Sequence, residues 1–414
     1  MSDRLHARLW TLLVCQCVLV TGLALSYPFF ALYLHRVRGV PMGWVGAALF
    51  AMLAATAVGQ ALGGELSDIL GSRAVMQASV AARALAVAAM SWVMLRDFPV
   101  WALISLHVLS GFVGSFFDSA VRSYVAGACP PRQRLIANGQ LRVAMNLGWA
   151  IGPGLGGMLA ERSYPLLFAL SAGACLACLA LLRWTVPALA RLRPEGGFSW
   201  RDTLSLTADR NFMRLCAYSL LIGVVMAQLV VSLSMHCVRY AGLSEAQVGW
   251  LFTINGLAVV LLQTAVAKGA RGQRLTSVLA AGCLFYGAGY CGAGFASGFG
   301  FMAAAVLIVT FGEVAVSPGL HTLAANMAPE KLKGRYLGFQ GLAHQSGAAL
   351  GPLLGGLGLQ YLSPLWSPAP WLAVAALAAV AAAGFWGLGR SLDPHQDGLY
   401  DTGLREDGMA EVLT

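Results

Sequence analysis

The sequence predicts an all-α integral membrane protein whose twelve transmembrane helices form two six-helix repeats. Of its 414 residues, 58% are hydrophobic and only 11% are charged, whereas soluble domains carry about 25% charged residues. Apolar runs long enough to cross a bilayer core of about 30 Å recur along the whole chain. A six-residue phrase also occurs twice, as Gly-Pro-Gly-Leu-Gly-Gly at 152–157 and as Gly-Pro-Leu-Leu-Gly-Gly at 351–356.

Twelve apolar runs reach the roughly 18 residues that a transmembrane helix needs. The first run is too long for a removed signal peptide and lacks a small-residue cleavage site, so we expect it to be retained. The predicted spans are 9–34, 44–63, 74–95, 99–125, 137–160, 164–184, 211–236, 246–267, 275–295, 298–324, 334–361 and 368–389.

The repeated phrase divides these spans into two halves. Its copies are 199 residues apart, and the same offset matches Pro130 with Pro329 and Gly148 with Gly347. A chance match would not bring its neighbours along, so the chain is predicted to contain two copies of one unit. Six spans per half is an even number, so the halves should share one orientation and place any site at their interface near the membrane midplane.

The domain organisation follows from this division. We predict an N-terminal half at 1–184, a cytoplasmic linker at 185–210 and a C-terminal half at 211–390. The tail at 391–414 contains six acidic residues and little apolar content, so it is predicted to be a disordered cytoplasmic segment. No soluble domain of about 100 residues fits outside the spans, and any chemistry is expected within the bilayer.

The distribution of positive charge predicts the orientation. With a cytoplasmic N-terminus, 21 of the 27 Lys and Arg residues lie on the inner side and 5 on the outer side, and Arg83 lies within a span. This positive-inside bias predicts that both termini are cytoplasmic, and the segregation argues against nucleic acid as the partner of the net charge of +9. Arginine outnumbers lysine 24 to 3, a usage associated with GC-rich bacterial genomes, so we expect a bacterial inner membrane.

The reactive residue types predict neither catalysis nor a bound cofactor. The cysteine pair Cys175 and Cys178 has no neighbouring histidine or second pair in the sequence, so no metal or redox site is expected. No phosphate-binding Gly-x-x-x-x-Gly-Lys-Ser/Thr sequence is present, which argues against ATP-driven work. We expect a monomer, not an enzyme, with no cofactor and no metal, in contact with membrane lipid.

The loop between the second and third spans carries the first recognisable motif. Residues 64–73 read Gly-Glu-Leu-Ser-Asp-Ile-Leu-Gly-Ser-Arg. Its glycines permit a tight turn, Asp68 can accept hydrogen bonds from a helix N-terminus, and Arg73 can pair with an acid. This loop resembles the Gly-x-Leu-x-Asp-x-x-Gly-x-Arg/Lys signature of the major facilitator superfamily. With the duplicated layout, the resemblance covers essentially the whole chain and implies the major facilitator fold.

The resemblance implies that Asp68 and Arg73 form a gating contact on the cytoplasmic side. The family often has a base where this chain has Ser72. The second copy of the loop, at 268–274, keeps the bases and lacks the acid. The gating contact is therefore expected from the first half alone.

The fifth span resembles the antiporter signature of the twelve-span drug:proton antiporter family. Its glycines let helices approach closely, and its proline frees a backbone carbonyl and kinks the helix. The resemblance implies antiport, and helix packing would account for the same residues. The matching residues are Gly148, Gly152, Pro153, Gly156 and Gly157.

Charged and titratable residues inside spans are costly and are functional candidates by default. In the fourth span His107 stands where that family has an arginine. It is either a group that titrates near neutral pH or a packed neutral histidine. Glu313 lies about 20 Å from the outer end of the tenth span, at about 1.5 Å per residue, and its surroundings resemble the tenth span of drug exporters with a membrane-embedded glutamate. Glu313, His107 and Arg83 are predicted to serve proton coupling or substrate binding, with a helix-pairing hydrogen bond as the alternative for Glu313.

Two further charges lie at similar depth in neighbouring spans. Asp118 in the fourth span and Arg142 in the fifth are predicted to form a structural or gating ion pair, with Arg73 as a further partner of Asp118. Weaker candidates are polar residues that would either line a cavity or form hydrogen bonds between helices. These are Asn146, Gln228, Asn255, His344 and Gln345.

These features favour a proton-coupled secondary transporter that exports amphipathic small molecules or drugs by alternating access. Such a mechanism needs a carboxylate that holds either a proton or a cationic substrate, because protonation neutralises a charge that is costly in low dielectric and releases the substrate. The alternatives are a symporter or a lipid or metabolite transporter on the same fold, and a non-transporting membrane sensor or scaffold. A transporter should keep a polar cavity around Glu313, which a scaffold would fill with apolar side chains.

Overall fold

A computed structural model describes residues 3–129, 131–187, 206–270, 272–329 and 332–399, without the side chains of 3–9, 126, 131–136, 267 and 333–334. Most of the predicted linker and the last part of the predicted tail, 400–414, lie outside the described residues. Within the described ranges, all regular structure is helical and no strand is present.

Twelve long helices make up the described part of the chain. A π-helical segment, Tyr33–Val37, extends the first helix, and the seventh helix has two segments separated by a turn. The helices are α1 (Asp3–Leu32), α2 (Met42–Leu70), α3 (Ser72–Leu95), α4 (Val100–Ala128), α5 (Pro131–Ala160), α6 (Tyr164–Thr185), α7 (Arg210–Ala227 and Ser232–Arg239), α8 (Glu245–Gly269), α9 (Leu275–Phe295), α10 (Gly298–Met327), α11 (Lys333–Tyr361) and α12 (Ala369–Gly389).

Each predicted span corresponds to one of these helices, which confirms the predicted all-α membrane fold. In the described residues, ten of the helices are long and apolar enough to cross a membrane by composition. The other two are α5 and α11, which contain the repeated glycine-proline phrases. Both helices are rich in glycine and polar residues, some of which contact neighbouring helices and some of which line the space between the halves.

The two phrases make equivalent contacts in the two halves. In α5, Gly156 faces the backbone of α1 and Gly157 faces the backbone of α8, where any side chain would collide with main-chain atoms. In α11, Gly355 faces α7 and Gly356 faces the backbone of α2. Each phrase therefore joins its helix to one partner in its own half and to one in the other half, since glycine permits such close approach.

Matched arginines connect the third and sixth helices of each half. The Nη2 atom of Arg73, at the start of α3, donates to the carbonyl oxygen of Arg183 near the end of α6 at 2.9 Å. The Nη1 atom of Arg274, immediately before α9, donates to the carbonyl oxygen of Gly389 at the end of α12, also at 2.9 Å. Positive charge at a helix C-terminus is favourable because the last carbonyls have no partner in the helix. Arg73 thus caps a helix and does not pair with Asp118 in this structure.

The first part of the predicted disordered tail is folded, which corrects the prediction for 391–399. Asp397 is fully buried, and its carboxylate accepts hydrogen bonds from the backbone N–H and the hydroxyl of Thr276, both at 2.8 Å. Thr276 lies in the first turn of α9, where backbone N–H groups lack helical partners. An acidic residue that suggests disorder by composition therefore serves as a cap for a helix distant in sequence.

Asp397→Ala should lower the free energy of unfolding by about 1–2 kcal/mol, the usual cost of losing a helix cap. Thermal unfolding of the purified protein in detergent would measure the change. Asp393→Ala, at an exposed position of the same segment, is the matched control and should leave the transition unchanged. Equal transitions for both variants would contradict a capping role for Asp397.

Candidate functional site

The helices alternate in direction, so both ends of the described chain lie at the same end of the bundle. We call this end, where α1 begins and α12 ends, the terminal face, and we call the other end the opposite face. A cavity of about 720 Å³ lies between the two halves. Predicted candidates among its lining residues are Asp118, Arg142, Asn146, Asn255, Glu313 and Gln345.

The cavity extends toward the terminal face. Arg122 and Asn138 line it about two helical turns from the ends of α4 and α5 at that face, and Gln16 lines it near the middle of α1. The close contacts between the halves lie in the other part of the bundle, where Gly249 meets the carbonyl of Pro153 and Gly46 meets the backbone of α11. The structure is therefore closed at the opposite face and open toward the terminal face.

Glu313 lies at the midpoint of α10 and is half-buried at the cavity wall. The Nδ2 atom of Asn255, on α8, donates to Glu313 Oε2 at 3.0 Å and contacts Thr310 Oγ1 at 2.9 Å. The Thr310 hydroxyl in turn donates to the carbonyl of Val306 at 2.8 Å. A neutral amide thus orients the carboxylate, and in the described residues no ion pair neutralises it.

Arg142 crosses the cavity from the N-terminal half to the helix that carries Glu313. Its Nη2 atom donates to the hydroxyl of Ser317 at 2.9 Å. Ser317 lies one helical turn from Glu313, and Arg142 is close enough to act electrostatically on that carboxylate. The cation that acts on Glu313 thus comes from the N-terminal half. Spacing along the sequence did not indicate this relationship.

The predicted ion pair between Asp118 and Arg142 is absent from the described residues. Asp118 instead faces Gln16 of α1 and Arg122 of its own helix. Both predicted partners line the same cavity, but the side chain of Arg142 is directed toward α10. Equal depth in two helices fixes position along the membrane normal and leaves the direction of each side chain open.

His107 and Arg83 lie outside the central cavity, although both were predicted to serve coupling. They line a separate cavity of about 30 Å³ inside the N-terminal half. His107 is only 8% exposed, and its ring stacks on Phe30 with centroids 4.0 Å apart. The structure places it as a packed histidine, so the coupling role remains an untested prediction for both residues.

Two predicted cavity candidates form hydrogen bonds between helices instead. Gln228 is buried, and its side-chain amide nitrogen, Nε2, donates to the carbonyls of Val224 and Gly351, both at 2.9 Å. His344 contacts the carbonyl of Ser219 through Nδ1 at 3.3 Å. Neither lines the central cavity, and both join α7 to α11.

A polar cluster closes the opposite face and was not anticipated from the sequence. Arg36 Nη1 contacts Glu245 Oε1 at 3.2 Å, and the Tyr164 hydroxyl donates to the same oxygen at 2.5 Å. Arg36 and Tyr164 belong to the N-terminal half and Glu245 belongs to the C-terminal half, so these contacts join the two halves at the opposite face. Close by, Arg239 Nη1 donates to His35 Nε2 at 2.6 Å. Glu245 begins a helix after a serine cap, so by sequence it resembles an ordinary first-turn acid.

Asp68, the predicted cytoplasmic gating residue, is half-buried at the end of α2. Its side chain forms no hydrogen bond or ion pair among the described side chains, which do not include those of 333–334 at the start of α11. A structure open toward the terminal face is the state in which such a contact should be broken. Its gating role remains a prediction.

Asp68→Asn should shift the protein further toward the state that is open at the terminal face, because the amide cannot replace the charge at a helix N-terminus. Such contributions are typically 0.3–1 kcal/mol, so we expect roughly a two- to fivefold population change. Accessibility labelling of a cavity position at the terminal end would measure it, with Glu65→Gln, an exposed acid of the same loop region, as the control. Identical labelling of wild type and Asp68→Asn would rule out this gate.

Comparison with known proteins defines the class. The model of the Major Facilitator Superfamily matches residues 12–244 and 220–400. The chain therefore belongs to the major facilitator superfamily, and it is a multi-pass membrane transporter rather than an enzyme.

Curated relatives lie within the same class. The chain is similar to the Bacillus subtilis (strain 168) protein named "Uncharacterized MFS-type transporter YttB", with 28% identity over 353 residues, or 84% of this chain and 87% of that protein. It is also similar to "Multidrug resistance protein MdtH" of Klebsiella pneumoniae subsp. pneumoniae, with 27% identity over 389 residues, or 91% of this chain and 92% of that protein.

Solved structures share the fold at low sequence identity. A POT family transporter in complex with 5-aminolevulinic acid aligns with a TM-score of 0.78 and 13% identity, covering 92% of this chain and 96% of that chain. A bacterial homologue of the human lysosomal transporter Spinster aligns with a TM-score of 0.73 and 12% identity, covering 97% and 100%. These similarities confirm the fold and leave the substrate open.

Proposed function

We propose that this transporter exports amphipathic cationic small molecules in exchange for protons, across a bacterial inner membrane with both termini cytoplasmic. The observation that carries the proposal is Glu313, a carboxylate at the midpoint of α10 on the wall of a cavity between the two halves. A polar cavity there argues against a scaffold, which would fill this space with apolar side chains.

The surroundings of Glu313 suit alternate occupancy by a proton and a cation. Its only direct side-chain partner among the described residues is the neutral amide of Asn255, so a cationic substrate can supply the missing charge. When a proton binds instead, the charge that attracts the substrate disappears. Competition between proton and substrate for one carboxylate gives antiport if only the occupied transporter changes conformation, because the two ligands then cross the membrane in opposite directions in alternate steps.

Arg142 adds a link between site and conformation. It spans the cavity to Ser317 and acts electrostatically on Glu313. A cationic substrate at Glu313 would repel Arg142, whereas an ionised empty site would attract it. We expect the position of Arg142 to report whether Glu313 is loaded.

The positive-inside distribution supports a cytoplasmic location of the terminal face. The described state then faces inward, with its cavity accessible from the cytoplasm, as substrate capture for export requires. The multidrug name of the MdtH relative supports a broad, amphipathic substrate range. The apolar part of the cavity wall, including Met145, Trp149, Met226 and Phe252, suits flat or flexible hydrophobic cations.

Transport in inverted membrane vesicles with an imposed pH gradient tests the proposal. With tetraphenylphosphonium as the probe, an acidic lumen should drive its accumulation, and a protonophore should abolish that accumulation. Vesicles without the transporter control for passive entry. Accumulation driven by an alkaline lumen would instead indicate symport. No gradient-dependent movement of any probe in a panel of lipophilic cations would overturn the proposal.

A further inference from the structure

The side chain of Arg83 presents an unusual electrostatic problem. It lies at the middle of α3, half-buried, inside the N-terminal half. In the described residues, its guanidinium makes no ion pair. It also donates no hydrogen bond there, although a guanidinium carries several N–H donors. A cation inside a membrane protein is costly unless it is paired, so Arg83 needs a partner that the protein itself does not supply.

The small cavity beside Arg83 has a second unsatisfied donor or acceptor. His107 lines the same cavity of about 30 Å³, and its buried Nε2 atom has no hydrogen-bond partner in the described chain. With the proton on this nitrogen, His107 would be a donor toward the cavity. Ser110 also lines it and can donate through its hydroxyl.

The charges around the cavity favour an anion over water. The acid that acts on Arg83 electrostatically is Asp118, and it forms no ion pair with Arg83. A water molecule could accept a hydrogen bond from the guanidinium but would leave it without an ion-pair partner. A bound anion would supply both the charge and the acceptor.

We propose that Arg83, His107 and Ser110 form a binding site for a small monovalent inorganic anion, with chloride as its occupant. The volume holds about one water-sized particle, which excludes sulfate, phosphate and organic carboxylates. Much of the remaining wall is apolar, including Met52, Val87 and Met90, which suits a weakly hydrated halide. The other two serines of the lining, Ser26 and Ser171, hydrogen-bond to each other. The role is structural compensation of a membrane-embedded cation, and it is separate from substrate transport at Glu313.

The position of Arg83 depends on a glycine of the neighbouring helix. A side chain at Gly114, on α4, would contact the guanidinium, with the nearest atom, Nη1, only 2.7 Å from the added carbon. Glycine therefore leaves the space that the guanidinium occupies. Gly114→Ala should displace Arg83 while retaining its charge, and should weaken anion binding.

Thermal unfolding of the full-length protein in detergent tests the site without any transport measurement. At constant ionic strength, replacing sodium gluconate by sodium chloride should raise the unfolding temperature in a saturable manner, because a ligand that binds only the folded state stabilises it. Bromide should substitute for chloride, and sulfate should not. Stability that does not differ between chloride and gluconate would overturn the proposal and leave water as the occupant. An equal response to sulfate would reduce the effect to general salt.

Variants assign the site to its residues. Arg83→Gln should abolish the chloride response, whereas Arg96→Gln, an exposed arginine at the end of the same helix, should retain it. His107→Phe preserves an aromatic ring and removes the donor, so it should weaken chloride binding about tenfold, as expected for the loss of one hydrogen bond. If Arg83→Gln does not fold, the chloride responses of His107→Phe and Gly114→Ala test the assignment instead. An unchanged chloride response in both would overturn the assignment.

Discussion

Glu313→Gln should abolish proton-driven accumulation of a lipophilic cation while the protein remains folded. Glutamine keeps the size of the side chain and can still interact with Asn255, but it can neither ionise nor exchange a proton. The driving force of the pH gradient would then have no group on which to act. Coupling free energies between two ligands are commonly worth about 5- to 150-fold in affinity, so the wild type should accumulate the probe to roughly this extent and the variant should show no gradient-driven accumulation.

The control for this variant is Glu65→Gln, which removes an exposed carboxylate from α2 and should accumulate the probe as wild type does. Binding of the probe to purified Glu313→Gln, measured at several pH values, separates coupling from affinity. Wild-type affinity should fall as pH falls, whereas affinity in the variant should not depend on pH. If the variant still accumulates a cation against its gradient, the coupling carboxylate lies elsewhere, and Asp118 is the next carboxylate on the cavity wall.

Glu245→Ala should open the opposite face. The carboxylate of Glu245 is buried and joins Arg36 and Tyr164 across the two halves. Truncating one partner of a buried charge pair costs about 2–5 kcal/mol, and the half-exposed Arg36 places the expected value toward the lower limit. A shift of about 2 kcal/mol changes the ratio of closed to open states roughly 30-fold.

Spin labels at Arg162 and Ala241, in loops of the two halves at the opposite face, would measure the opening as a distance distribution. Wild type should give mainly the short distance of the closed state, and Glu245→Ala should populate a longer one. Tyr164→Phe removes only one hydrogen bond to the same carboxylate, so it should give a smaller shift in the same direction. A closed distribution in Glu245→Ala would mean that the glycine contacts alone keep this face shut.

Features that repeat along the chain could be predicted from the sequence. The glycine-proline phrases indicated close helix contacts, because glycines four residues apart lie on one face of a helix, and the phrases do lie at contacts of α5 and α11. Glu313 could also be located, since its distance from the helix end fixes its depth. The fold and the central carboxylate therefore follow from local patterns.

Features that depend on direction around a helix or on distant contacts could not be predicted. Arg142 and Asp118 have similar depth, but the sequence did not show that Arg142 turns toward Ser317. Asp397 caps a helix that precedes it by more than a hundred residues, and the composition of its segment suggested disorder. Glu245 lies at an ordinary helix start, and only the assembled bundle brings Arg36 and Tyr164 to it. Each case is decided by tertiary packing.

The glycine contacts between α5 and α8, and between α2 and α11, have a mechanical consequence. At these two crossings, backbone meets backbone at positions such as Gly157 and Gly249 on one side and Gly46 and Gly356 on the other. These crossings lie in the closed part of the bundle, so they must part when the opposite face opens, and surfaces without interlocking side chains can part and meet again with few rotamer changes. We therefore expect the lifetime of the closed state to depend on the charged contact beside them, Arg36 with Glu245.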